Sequence, residues 1–114
     1  MVTMQKISST LSTAREHRYH KAEATVRKLV GLLVKKYHVK KVVLLGSLLN
    51  KGRFGYHSDI DLCVEGIPAG CYFTAVGELL LEAADFDVDL IPFEDATPEM
   101  KERVKRGRIL YEKR

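Results

Sequence analysis

The sequence predicts an α/β domain, a small mixed sheet with helices packed on it. Three observations carry this. Apolar residues recur at helical spacing between Ala22 and Tyr37, as Ala22, Val26, Leu29, Val30, Leu33 and Tyr37. Asp59–Val64 and Phe86–Ile91 instead alternate with period two, as half-buried strands do. The elements then run helix, strand, loop, strand, helix, strand, helix. The link between the first two strands is too short for an ordinary helical crossover, so the sheet is expected to be mixed.

The elements follow in order. Thr13-Ala14-Arg15-Glu16 has the capping-box form and predicts a helix over 14–37. Ile7, Leu11 and Ala14 continue a similar stripe, so an earlier start is open. Val42–Leu45 is a short apolar run that reads as a buried strand ended by Gly46-Ser47. Residues 48–58 hold Gly52 and Gly55 and read as a helical turn plus loop. Leu48, Leu49 and Phe54 in that stretch are taken as exposed apolar residues that hint at an interface. A strand over 59–64 follows, then breakers at Gly66, Pro68 and Gly70. Tyr72–Ala84 reads as a helix with Phe73, Val76, Leu80 and Ala84 inward. The third strand, 86–91, stops at Pro92. Thr97-Pro98-Glu99 combines a capping Thr, a first-turn Pro and an early acid, which starts a helix running to about residue 106. Ile109–Tyr111 closes the chain as a short strand or as an extension.

At 114 residues, the chain is expected to form one domain, 1–114, with a core over about 40–112. No apolar run approaches the ~20 residues of a membrane helix, and Met1–Thr13 lacks the apolar centre of a secretory signal. The expectation is a cytoplasmic protein with no membrane contact, and Cys63 and Cys71 as reduced thiols. Charge is divided unevenly. Residues 1–57 carry twelve Lys/Arg and two acids, whereas 54–100 hold eleven acids and no Lys or Arg. A basic half beside an acidic stretch suits nucleic-acid binding, a cation site beside a phosphate site, or a bipolar surface that pairs with itself or a partner.

Ser58-Asp59-Ile60-Asp61-Leu62 places two carboxylates on one strand face, because side chains at i and i+2 point the same way. Their mutual repulsion is relieved by a bound divalent cation, and Mg²⁺ takes such oxygen ligands together with substrate phosphates. Taken alone, the pair also suits a solvated strand face. Asp87 and Asp89 offer a third acid on a neighbouring strand. Gly46 permits close backbone approach by a ligand, and Ser47 adds a hydroxyl. Together these features juxtapose a phosphate cradle and a metal site. His57 lies near the carboxylates, Tyr56 is a candidate to stack on a base, and Cys63 shares the parity of Asp59 and Asp61.

Val43–Ser47, the loop with Gly52, and Ser58–Leu62 resemble the signature of the DNA polymerase β-type nucleotidyltransferase superfamily. The short length and Val88-Asp89-Leu90-Ile91 resemble its minimal nucleotidyltransferase branch, and Gly107 with Leu110-Tyr111-Glu112 fits that branch's ending. The likeness covers about residues 20–112. It implies the polymerase β-type fold, with Asp59, Asp61 and Asp89 as metal ligands and catalytic carboxylates. Gly46, Ser47 and Ser58 become nucleotide-binding residues, with one or two Mg²⁺ ions as cofactor and ATP as substrate. Asp89 is preferred to Asp87 because Asp-Leu-Ile matches the family pattern. In one place the sequence departs. Many relatives follow Gly-Ser with Arg-x-x-Gly; here Leu48-Leu49-Asn50-Lys51 follows Gly46-Ser47 and the next glycine, Gly52, comes one position late, leaving Lys51 or Arg53 to supply the loop cation.

The implied partner is a HEPN-domain toxin, whose tyrosine would receive AMP, making this chain its antitoxin. With the whole chain used by the core, a pocket for a small acceptor is expected only between subunits or with a partner, so a homo-oligomer stays open. Three other readings stand beside this one. They are an antitoxin that masks its toxin without catalysis, transfer to a small molecule, and a basic nucleic-acid-binding module. The last is disfavoured because the family's polymerising members use extra domains.

Overall fold

The computed structural model describes residues 4–55 and 58–114, with side chains from Thr13 onward. The sheet is built from β1 (Lys41–Leu45), β2 (Ile60–Glu65), β3 (Val88–Pro92) and β4 (Arg108–Glu112). The helices are α1 (Met4–Tyr37), α2 (Tyr72–Ala83) and α3 (Pro98–Lys105). Strand order is β3-β2-β1-β4. The β1–β2 and β1–β4 pairs are antiparallel and the β2–β3 pair is parallel, so the sheet is mixed as expected. The topology follows from the connections, since α2 supplies the helical crossover that a parallel β2–β3 pair requires. Among the described residues, no helix is long and apolar enough to cross a membrane.

Strand alternation divides the interior in two. Val42, Leu44, Ile60, Leu62, Val64 and Leu90 face α1 and α2 in the main core. Val43, Leu45 and Cys63 face the other way, against Ile91, Phe93, Met100 and Val104. This second, smaller cluster lies under α3. Cys63 belongs to it and is 2% exposed, so it packs as a small hydrophobe rather than opening to a site. Both cysteines are free thiols.

Four sequence expectations change. α1 begins at Met4, ten residues before the predicted start, so Thr13 lies inside the helix and does not mark its start. The weaker stripe through Ile7 and Leu11 had indicated that earlier start. α2 is rotated from the predicted phase. Ala75, Leu79 and Ala83 are buried, whereas Phe73 is 85% and Leu80 42% exposed. Eight of its twelve residues are apolar, so two helical stripes compete and spacing cannot choose between them. Leu48 and Phe54 are fully buried rather than exposed, leaving only Leu49 of that trio at the surface. The acidic strands begin one and two residues later than predicted, so Asp59 and Asp87 precede their ladders. By contrast, Thr97 caps α3 as expected, its hydroxyl accepting from the Met100 N–H at 3.2 Å.

A polar contact locks α1 to α2. The Lys36 ammonium and the Tyr37 hydroxyl both donate to Glu78 Oε1, each at 2.6 Å. These hydrogen bonds, from Lys36 first and then Tyr37, hold the Glu78 carboxyl below its ordinary range. The same bond to Glu78, reinforced by burial, pushes Tyr37 up to about 12. A depressed carboxyl stabilises the fold above its unfolded value and loses that contribution as pH falls through the folded one. Thermal melts of Glu78→Gln between neutral pH and about pH 3 should therefore show a shallower acid limb than wild type. Parallel curves would remove Glu78 from the acid stability of the protein.

Candidate active site

Asp61 sits in the middle of the sheet, paired with Leu45 of β1 on one side and with Asp89 of β3 on the other. The register therefore brings these two carboxylates onto one face of adjacent strands, the face that α3 partly covers. Asp59 lies two residues upstream on the same face, and the following Ile60 donates its N–H to the carbonyl of Asp87, the residue before β3, at 2.9 Å. Asp59 and Asp89 are exposed and Asp61 is half-buried. Burial first, then the neighbouring Asp89, raises the Asp61 carboxyl above its ordinary value; Arg103 pulls it down and Asp59 adds to the rise. An arrangement that repels itself in this way is suited to a cation.

β1 delivers Gly46 beside this group. After Leu45 the chain enters a 3-10 turn, Gly46–Leu49, with Gly46 at φ 78°. A Cβ at Gly46 would lie 3.3 Å from the Asp61 carboxyl carbon and closer still to an oxygen. Both the conformation and the contact demand glycine here. Ser47 follows and is half-buried. The turn is only four residues long, so its aligned peptides contribute little dipole toward an anion.

Charge for an anion comes from side chains instead. A cleft of about 290 Å³ is lined by Gly46, Ser47, Leu49, Arg53, Arg103 and Arg106. Of the two loop cations expected there, the structure brings in Arg53 and not Lys51. Lys51 turns toward α1, 3.9 Å from a Glu16 carboxylate oxygen and 5.9 Å from the centre of the Tyr19 ring. The Ser58 hydroxyl accepts the Gly55 N–H at 2.8 Å and so shapes the loop entering β2. Tyr56 and His57 lie outside the described residues. Sequence reading did not single out Arg103 and Arg106, which fell within the last helix and at its end. The available signal was their position just before Gly107, where the eleven-acid stretch gives way to basic residues.

The donor chemistry suits Mg²⁺, since three hard carboxylates share one face. Among the described residues, no three His, Cys, Asp or Glu side chains are gathered closely enough to hold a metal ion.

A four-stranded mixed sheet carrying an Asp-x-Asp strand beside a Gly-Ser turn is the framework of a nucleotidyltransferase. The chain matches the family described as polymerase beta, nucleotidyltransferase, over residues 27–114, and it belongs to that family. Its fold recurs in solved toxin–antitoxin structures. A chain of a toxin–antitoxin crystal structure with AMP-PNP is 25% identical, with a TM-score of 0.62 and coverage of 81% of this chain and 74% of that one. A chain of the toxin–antitoxin MntA-HepT is 22% identical, with a TM-score of 0.59 and coverage of 79% and 72%. A third likeness is to a chain of the tri-AMPylated Shewanella oneidensis HEPN toxin in complex with MNT antitoxin, at 22% identity, a TM-score of 0.53 and coverage of 89% and 72%. No curated protein matches the chain.

Proposed function

We propose that this chain is a Mg²⁺-dependent adenylyltransferase that moves AMP from ATP to a tyrosine hydroxyl of a HEPN-type toxin, and thereby acts as its antitoxin. The carrying observation is the pairing of Asp61 with Asp89 directly beside Gly46 and the arginine-lined cleft. The family supports nucleotidyl transfer, and the likeness to a toxin–antitoxin complex with AMP-PNP supports an adenine nucleotide and a protein partner. In this reading 1–114 acts as one nucleotidyltransferase domain.

Asp59, Asp61 and Asp89 would hold Mg²⁺, which when bound supplies Lewis acidity at the α-phosphate and neutralises charge on the departing oxygen. Asp89, exposed on its edge strand, accepts the proton of the attacking hydroxyl. The acceptor oxygen bonds to the α-phosphorus, the bond from that phosphorus to the bridging oxygen breaks, and pyrophosphate leaves. Gly46 and Ser47 line the floor beside the phosphates, and Arg53 offsets their charge. Ser58 acts through the loop, fixing its backbone at Gly55.

The test is label transfer from α-labelled ATP with Mg²⁺ to a co-expressed HEPN-type partner. Metal-dependent label on the partner is the expected result. A stable complex that never takes label would leave an antitoxin that masks by binding. Label on a small hydroxyl compound alone would move the acceptor to that class.

A further inference from the structure

Resting on the nucleotidyl-transfer reading, we propose that Arg103 of α3 and Arg106 at its C-cap, together with Arg53, form the clamp for the β- and γ-phosphates of the donor, and hence for the leaving pyrophosphate. The clamp thus comes mainly from the C-terminal end of a helix far from the Gly46-Ser47 turn in sequence.

The geometry is specific. Met100 and Val104 point inward onto Val43, Leu45 and Cys63, which leaves Arg103 and Arg106 on the flank of α3 nearest Gly46. Gly107 fixes how closely that helix end approaches. A Cβ there would lie 2.6 Å from Val43 Cγ1, 2.7 Å from the Leu44 carbonyl oxygen and 2.8 Å from Leu45 Cδ2. The end of α3 is therefore seated on the same β1 residues that lead into Gly46. Arg106 N–H donates to the Arg103 carbonyl at 3.1 Å, closing the last turn between the two arginines. Arg103 lines the cleft together with Gly46, whose backbone lies against the Asp61 carboxylate, so the cleft adjoins the carboxylate face.

What sets these arginines together is place: Arg53, Arg103 and Arg106 line one cleft, and among the described residues no carboxylate pairs with any of the three. Three guanidinium groups converging on one cleft repel one another, and a polyanion relieves that repulsion. Guanidinium forks bind phosphate oxygens in pairs, which ammonium groups do not. A purely structural role is the alternative, because cations near a helix C-terminus favour its dipole. That role predicts changed stability and unchanged phosphate affinity.

Equilibrium binding of ATP, AMP and inorganic tripolyphosphate to the full chain separates these, with thermal melts alongside. Arg103→Ala and Arg106→Ala should each weaken ATP and tripolyphosphate about 10- to 100-fold, and AMP by less than about threefold. Arg103→Lys should fall between Arg103→Ala and wild type. Lys101→Ala, on the opposite flank of α3, should bind as wild type does. Equal losses for AMP and ATP, unchanged affinity with a lowered melting point, or a wild-type chain that binds neither ATP nor tripolyphosphate would each overturn the clamp. Binding that follows the expected pattern without label on any partner would leave the clamp standing and count against the transfer reading alone.

Discussion

Asp61→Asn should reduce label transfer at least about 10³-fold while leaving the protein as stable as wild type or more so. The size follows from the charge stabilisation a carboxylate-held metal gives the reacting phosphate. That is several kcal/mol, at about 1.4 kcal/mol per tenfold in rate. The opposite sign for stability follows from the same geometry. Asp61 is half-buried, paired with Asp89 and two residues from Asp59, and both burial and these neighbours disfavour its charged form. Asparagine keeps the shape and removes the repulsion. Active sites commonly hold charge that folding alone would not choose. Rates from α-labelled ATP and a thermal melt on the same preparation check both halves. A variant that loses activity and melts lower would make Asp61 a structural residue first. One that keeps activity would remove it from the proposed chemistry.

The site divides between what sequence could show and what it could not. Asp59 and Asp61 were legible as a same-face candidate pair because strand parity is local: two residues apart on an extended chain means one face. Asp89 was legible only as a candidate, since its pairing with Asp61 depends on a crossover through α2 that fixes the register. Gly46 reads as a turn from sequence, yet its reason for being glycine is a carboxylate fifteen positions later. Arg103 and Arg106 were not legible at all. Whether a basic residue on an eight-residue helix meets solvent or a phosphate depends on how that helix sits on the sheet, and Gly107 decides this by close packing. The phase of α2 failed for a related reason. With apolar residues on nearly every side, its buried stripe is chosen by the surface it meets rather than by its own pattern.

Phe54→Ala should cost about 3–5 kcal/mol of stability, the usual loss for a fully buried aromatic ring. From sequence, Phe54 looked like an exposed loop residue between two glycines, but it is 1% exposed. Its ring meets Tyr19 of α1 edge-on at 6.1 Å between centres and Phe86 at 6.3 Å. The Arg18 guanidinium lies 4.5 Å above the Phe86 ring and closes the far side of the group. Truncation would open a cavity where the loop, α1 and the approach to β3 meet. A domain of this size holds about 5–15 kcal/mol in total, so the loss is a large share. Function should suffer as well. Phe54 directly follows Arg53, and both N–H groups donate to the Asn50 carbonyl, at 2.9 Å from Arg53 and 3.2 Å from Phe54. The ring is thus the anchor that holds the Arg53 turn over the cleft. Denaturant unfolding gives the first quantity and ATP affinity the second, each with Phe54→Leu alongside. Leucine restores much of the buried volume, so it should recover most of the stability and part of the affinity. A loss below about 1 kcal/mol for the alanine variant would mean that the loop is held by its own hydrogen bonds. The placement of Arg53 would then be a property of the turn rather than of the core.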